Sequence, residues 1–372
     1  MRICMVAFTD LHFDYRIYRE ATALRRAGHE VAIVASSFNP APLEGWDDFE
    51  IHLIPIDRGR SLRRLYPLFW RRAYPLLLDT RPDAYHAHDL DALWPAVRAA
   101  RRLRRPLVYD SHEFWIEQSS LVNRPLMRSF WSLLERHLIK RVDRVITVSQ
   151  SIAESLTTRY GLGGVVILRN FPLFREKVQS DLIRETLDLP ANRPIVLYQG
   201  GFLTENGLRE QIEAAAGFGD AALVLIGDGP NEKALKEQVR TGGLQDQVFF
   251  IARMPFHQLH DYTCSADLGL CLIKGAGKSF YYSLPNKLFE YMMAGLPVIA
   301  SNFPEMQRVV SKTDTGVTID PTDIDAIRQQ VTELLSDDKR RAACSQACLD
   351  AAQHYHWERE AGQLTDLYST LG

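Results

Sequence analysis

Apolar runs of strand length recur along the chain, with helix-length amphipathic stretches between them. In the first half they are ICMVAF, VAIVA, IHLIPI, AYHAH, LVYDS and VITVS; after about residue 190 the rhythm restarts with PIVLYQG, AALVLIG, VFFIA, LGLCLI and LPVIAS. Unalternated Val, Ile and Leu fit parallel strands buried on both faces and joined by crossover helices. REATALRRAGHE and ALKEQVRTGG are amphipathic helices that stop at Gly28 and Gly242, as glycine after a helix end predicts. A Pro-containing charged stretch, NFPLFREKVQSDLIRETLDLPANRP, separates the two series. The pattern predicts an α/β protein of two Rossmann-like domains, 1–170 and 193–352, with a linker at 171–192 and a carboxy-terminal segment at 353–372. Two such domains are expected to face a central cleft, because open α/β sheets bind ligands outside the carboxyl ends of their strands.

A length of 372 residues suits two domains. No stretch approaches the roughly 20 apolar residues of a membrane span, and the start, MRICMVAF, becomes strand-like at once without a signal segment. Five scattered cysteines, Cys4, Cys264, Cys271, Cys344 and Cys348, fit a reduced, cytoplasmic protein. The net charge of −2 hides an asymmetry: residues 1–170 hold 25 basic and 19 acidic side chains, the remainder 19 and 27. The two halves are therefore expected to meet different partners. The most basic stretch, RGRSLRRLYPLFWRRAYPLLL, includes Arg58, Arg60, Arg63, Arg64, Arg71 and Arg72 among aromatic and aliphatic residues. A helix of this kind lies on an anionic membrane, apolar side inward, or packs its aromatics on its own domain; Pro67 and Pro75 are expected to interrupt it.

Some motifs imitate known chemistry. GAGKS at residues 275–279 resembles the end of a phosphate loop, but the first glycine would fall at Leu272. Asp89 and Asp91 in HDLDAL have the D-x-D spacing of metal-using transferases, yet they open a helix, where aspartate is a natural N-cap. No metal or other cofactor is therefore expected. No G-x-G-x-x-G occurs, and Gly227 and Gly229 in LIGDGP offer only a turn where backbone can approach a ligand.

Three features carry more. Gly200 and Gly201 stand between a strand and a helix, where bare backbone can approach a phosphate or form a plain turn. His112 and Glu113 follow a strand, so His112 is a proton-handling, hydrogen-bonding or simply structural imidazole. SLPNKLFEYMMAG, residues 283–295, is a nearly apolar helix opened by Pro285 and closed by Gly295, with Lys287 and Glu290 in its first turns. The two are a surface pair or, with free N–H groups near Ser283 to Lys287 and the helix dipole, an anion site whose carboxylate takes sugar hydroxyls. A diphosphate joined to a ribose would use both ends.

LPNKLFEYMMAGLPVIAS, LYQGGFLTENGLREQIEA, LVLIGDGP, YDSHEF and YREATALRRAGHEVAIVA together resemble the family-4 retaining glycosyltransferases of GT-B architecture, over nearly the whole chain. The resemblance implies a nucleotide-sugar held by the carboxy-terminal domain and an acceptor held by the amino-terminal one. It places Glu290 on the ribose hydroxyls, and Tyr282, Ser283, Pro285, Asn286 and Lys287 on the sugar and diphosphate. Arg253 to Pro255 would frame the base, Gly200, Gly201 and Asn206 would border the phosphates, and His112 would lie near the transferred sugar. Asp14, Arg16 and Glu113 would border the acceptor, and the last helix would cross back to the first domain. Three departures stand out. Tyr282 occupies the first glutamate of the family's E-x-x-x-x-x-x-x-E pair, Gly201 and Asn206 stand where basic residues are common, and the glycine-rich loop after the first strand is missing. Lys287, Lys278 or Arg209 would have to supply the phosphate charge.

The resemblance therefore implies a metal-independent retaining transferase. It would move a sugar from a nucleotide-diphosphate-sugar to a glycan or lipid-linked acceptor in cell-surface polysaccharide or glycoconjugate synthesis. No nucleic acid is an expected partner; the expected location is cytoplasmic, with peripheral contact at the inner face of an anionic membrane. The rivals are a GT-B sugar-nucleotide epimerase and a catalytically silent sugar-nucleotide-binding subunit.

Overall fold

The computed structural model describes residues 1–39, 41–57, 59, 61–275 and 277–371, the side chains of Leu62 and Phe256 excepted. It contains two compact units, Met1–Asn170 with Glu360–Gly372, and Phe171–Arg359.

The first unit is built on a seven-stranded parallel sheet in the order β3-β2-β1-β4-β5-β6-β7. Its strands are β1 (Arg2–Ala7), β2 (Glu30–Ser37), β3 (Glu50–Pro55), β4 (Ala84–His88), β5 (Leu107–Ser111), β6 (Arg144–Thr147) and β7 (Val166–Ile167). The second unit holds six parallel strands in the order β10-β9-β8-β11-β12-β13. These are β8 (Ile195–Gln199), β9 (Ala222–Gly227), β10 (Val248–Ala252), β11 (Leu268–Cys271), β12 (Val298–Ser301) and β13 (Gly316–Ile319). The central strands β4, β5, β8 and β9 are buried along their whole length, which is why they show no alternation. The two strands that the apolar pattern misses are edges: β7 has two residues, and β13 is half-buried throughout.

In the second unit the apolar side of the helix Asn286–Met293 lies in the core, with Leu288, Phe289, Tyr291 and Met292 fully buried against the sheet. Residues 171–192, expected as a linker, are part of this unit: Phe171 and Ile183 belong to its core, and Leu182–Leu187 is a helix. The last helix, Trp357–Ser369, starts in the second unit and ends in the first. There the buried Tyr368 hydroxyl meets His86 Nδ1 at 2.8 Å.

Two helices of the first unit, α1 (Tyr15–Arg26) and α2 (Leu62–Asp79), correct the sequence reading. The helix α2 runs unbroken through Pro67 and Pro75, both exposed on its outer side, where a lost backbone hydrogen bond is tolerated. Its apolar side is not available to a membrane: Leu65 and Phe69 are buried, Phe69 packs on Phe8 at 5.1 Å, and Trp70 stacks on Trp94 at 5.2 Å. Arg63, Arg64, Arg71 and Arg72 remain exposed, while Arg58, Arg60 and the Leu62 side chain lie outside the described residues.

Candidate functional site

Polar groups gather at the carboxyl end of β8 in the second unit. The strand IVLYQ is apolar until Gln199, and the two glycines after it let the chain turn. Gly200 sits at φ +133, and a Cβ there would come within 3.2 Å of Lys287 Nζ. Gly227, expected to give a ligand access to backbone, instead admits this loop: a Cβ on it would fall 2.0 Å from the Gly200 carbonyl oxygen. Lys287 holds its ammonium 4.0 Å above the Tyr198 ring, a cation–π seat. One turn further along the helix, Glu290 accepts a hydrogen bond from Gln199 Nε2 at 2.5 Å. Gln199 is fixed in turn by the Thr263 hydroxyl, which donates to its Oε1 at 2.7 Å. The helix thus aims an ammonium and a carboxylate at the end of one strand, not at each other across an exposed face.

The flanking loops are more occupied than the sequence suggests. The Ser283 N–H and hydroxyl both donate to Phe280 O, at 3.1 and 2.8 Å, so this N–H is not open to an anion. Gly200 N–H likewise donates to Ile226 O at 3.0 Å. Pro285 caps the helix, Asn286 begins it, and the Tyr282 ring leans on Tyr281 at 5.4 Å. Asn206 donates to the Gly201 carbonyl at 2.7 Å and shapes the turn. Arg253 is exposed, 3.8 Å from Asp228, and Lys278 and Arg209 are exposed as well.

At the carboxyl ends of β4 and β5 in the first unit, ionisable side chains are buried together. Arg16, expected beside an acceptor, is instead an interior residue of α1, 5% exposed. Its guanidinium contacts both Asp110 oxygens at 2.9 and 2.8 Å, Glu20 at 2.8 Å, and the Leu168 carbonyl at 3.2 Å. This is a correction: three partners, Asp110, Glu20 and Leu168, engage all three guanidinium nitrogens and tie Arg16 into the interior. Asp14 caps α1, accepting from the Ile17 N–H at 3.2 Å, and Glu113 is exposed beside His112.

His112 sits at the rim of that cluster. Its Nε2 lies 3.2 Å from Asp110 and 3.0 Å from His88 Nδ1; its Nδ1 lies 3.5 Å from Asp89. Burial pulls its pKa down, but Asp89 and Asp110 outweigh burial and raise it to about 10. The imidazole is therefore cationic at neutral pH, a hydrogen-bond donor and not a base. Burial pushes Asp89 up to about 7 against the pull of His112. Burial also lowers His88, leaving it neutral and able to accept at Nδ1. Asp110 stays ionised because Arg16, then His112, overcome its burial, while burial raises Glu20 to about 8 despite Arg16.

Asp89 departs from its expected role. It is the first residue of the helix α3 (Asp89–Leu103), with His88 as N-cap, and it adopts φ +62. A non-glycine residue held there stores strain of the kind found at functional sites. Its Oδ1 accepts the His112 N–H at 3.0 Å, so the strained aspartate orients His112.

Glu20, His86, His88 and Asp110 offer donor atoms within 4.8 Å of one another and could hold a metal ion. The chemistry of the set argues otherwise: Arg16 already supplies positive charge to both carboxylates, and a divalent ion would sit against it and the His112 cation.

Residues 15–171 match the family model Glycosyltransferase Family 4, and residues 179–348 match Glycosyl transferases group 1. The chain belongs to the family-4 glycosyltransferases. This glycosyltransferase is 25% identical over 302 residues to a GDP-mannose-dependent alpha-(1-6)-phosphatidylinositol monomannoside mannosyltransferase of Mycolicibacterium smegmatis, across 76% of this chain and 77% of that one. Its fold matches sucrose-phosphate synthase from Thermosynechococcus elongatus at a TM-score of 0.84 and 20% identity, covering 100% and 99% of the two chains. It also matches the Anabaena protein HepE, solved with UDP and glucose, at 0.78 and 17%, with full coverage of both. The architecture is GT-B. Among the described residues, no helix of the glycosyltransferase is long and apolar enough to cross a membrane.

Sequence reasoning missed Gln199, Thr263, Asp89 and Asp110. Gln199 and Asp110 did leave a signal: Gln199 ends the otherwise apolar run IVLYQ, and Asp110 is the one charged residue in LVYDS. Asp89 shows in the sequence only as a helix N-cap, because a positive φ at a non-glycine residue has no sequence mark.

Proposed function

We propose that the enzyme is a retaining, metal-independent glycosyltransferase that moves a sugar from a nucleotide-diphosphate-sugar to a glycan or lipid-linked acceptor. Its setting would be cell-surface polysaccharide or glycoconjugate synthesis at the inner face of a membrane. The observation that carries this reading is the pairing of Lys287 and Glu290 at the end of β8, beside Gly200. The ammonium suits a diphosphate leaving group, and the Glu290 carboxylate, steadied by Gln199, suits ribose hydroxyls. In the sugar's transition state, oxocarbenium character grows as charge collects on the diphosphate. A preoriented cation there counts for more than one that must reorganise; removing a single such donor costs roughly 3 kcal/mol in oxyanion sites. Among the described residues, no side chain at this end is placed as a nucleophile, so the acceptor hydroxyl attacks from the leaving-group face and gives its proton to the departing phosphate. The first unit's role is the acceptor, with the His112 cation donating to the sugar. The Anabaena neighbour solved with UDP and glucose and the mannosyltransferase relative support the donor class.

A calorimetric screen of nucleotide-sugars, followed by transfer assays on those that bind, tests the proposal. Binding of a nucleotide-sugar with transfer to an acceptor is expected. Turnover without acceptor would identify an epimerase, and binding without any turnover a silent subunit.

A further inference from the structure

The first unit carries a helix whose outer side is apolar. The short helix α4 (Ser119–Val122) leads into α5 (Pro125–Leu138). The inner face of α5 is anchored: Trp131 and Leu138 are buried, and the buried Glu135 carboxylate receives the Tyr109 and Tyr160 hydroxyls. Its outer face carries Leu126 at 86% exposure, Phe130 at 49% and Leu133 at 69%, spaced four and three residues apart as one helical stripe. A stripe of this kind on a helix already fixed to its core marks a surface that another phase covers.

The charge around it says which phase. Arg124, Arg136 and Lys140 are exposed on or beside α5, and its one acid, Glu135, is buried. Arg63 of α2 and Arg124 both line a hollow of about 580 Å³ that also borders Leu126 and Trp131. Arg64, next to Arg63, is exposed. Exposed aliphatic and aromatic side chains flanked by cations are complementary to an interface with apolar depth and negative headgroups.

We infer that the outer face of α5, with Arg63, Arg64 and Arg124, seats the first unit on an anionic lipid bilayer, Leu126, Phe130 and Leu133 entering the headgroup boundary. The α2 helix thus contributes arginines and not its apolar side. The inference rests on the membrane setting of the proposed function and is independent of the donor chemistry.

The test is sedimentation of the full chain with vesicles of phosphatidylcholine and phosphatidylglycerol in equal parts, and of phosphatidylcholine alone. The wild type is expected to pellet with the first, less so at high salt, and weakly with the second. Arg63→Glu/Arg64→Glu/Arg124→Glu is expected to lose roughly a hundredfold or more in vesicle affinity, since each cation counts for about fivefold. Leu126→Ser/Phe130→Ser/Leu133→Ser is expected to lose roughly tenfold or more. Melting curves and nucleotide-sugar titrations on the same proteins should match wild type, which separates this inference from the donor reading. The inference is overturned if the wild type fails to pellet, or if pelleting survives both sets of changes. It is also overturned if the apolar triple change abolishes self-association of a protein that ignores vesicles, since the face would then cover a second copy.

Discussion

The two units share a parallel-sheet plan and place their polar residues at the same end of the strands, yet they treat charge in opposite ways. In the first, Arg16, Glu20, Asp110, His86 and His88 are buried and meet one another. In the second, Lys287 and Glu290 stay half-buried on a helix end, where Lys287 meets the Tyr198 ring and Glu290 accepts from Gln199. A buried network whose charges are paired among themselves is a framework; half-buried charges at the end of a strand are poised for a ligand. The difference teaches that an ionisable cluster is not a binding site in proportion to its density. His112 is the exception in the first unit, because its side chain reaches the rim of the network, 16% exposed.

If the contrast is right, the first unit should respond to mutation in stability and the second in affinity. The largest effect is expected from Arg16→Met. It leaves the Asp110 carboxylate buried without its main partner, and breaking a buried pair from one side costs about 3–5 kcal/mol. Urea unfolding of this variant should show that loss, and a change below 1 kcal/mol or so would mean that water reaches Asp110 and the network is not a framework.

Next in size is Glu290→Ala, expected to weaken nucleotide-sugar binding by about 1.5–3 kcal/mol, the worth of a hydrogen bond to a charged group. Calorimetric titration reads it directly. Equal affinities would remove Glu290 from the donor site, and a stability loss as large as that of Arg16→Met would erase the contrast between the units.

A smaller effect sharpens the role of His112. Its folded-state pKa, about 10, lies above the ordinary 6.5. The stability it contributes is therefore fully present below about 6.5 and is lost as pH rises through about 10. Asp89→Asn removes one of the two carboxylates responsible and should lower the imidazole pKa by at least about one unit, or about 1.4 kcal/mol. An NMR titration of the ring protons follows this, and a wild-type imidazole titrating near 6.5 would return His112 to an ordinary, uncharged histidine. With the charge confirmed, His112→Ala should slow transfer far more than it weakens binding of the free nucleoside diphosphate.

What could be read in advance follows the range of the interactions. The buried strands and the helix after Pro285 were legible because continuous apolar runs, an opening proline and a closing glycine are local signals. The placement of Lys287 and Glu290 on one helix was legible for the same reason, since they lie three residues apart. The Arg16–Asp110 pair spans 94 positions, and no local pattern distinguishes an arginine bordering a ligand from one that will be buried under a distant carboxylate. The outward stripe on α5 was hidden differently. Trp131 and Leu138 make its inner face apolar too, and a helix apolar on both sides does not say which side faces out.

The smallest effect expected is none at all, and it bears on the one donor set that could hold a metal. Glu20, His86, His88 and Asp110 lie close enough to ligate an ion, and metal binding by a carboxylate requires its deprotonated form. Glu20 keeps its proton up to about 8 because it is buried, and the ionised Asp110 already faces Arg16 and His112. An incoming divalent ion would have to displace the Glu20 proton while meeting two fixed cations at short range. Excess chelator should therefore leave both the melting temperature and the transfer rate unchanged, with Lys287 supplying the positive charge at the diphosphate. A fall in melting temperature that zinc or manganese reverses would show that the first unit's framework is a metal centre. A fall in rate alone, restored by magnesium or manganese, would instead place the missing charge at the donor.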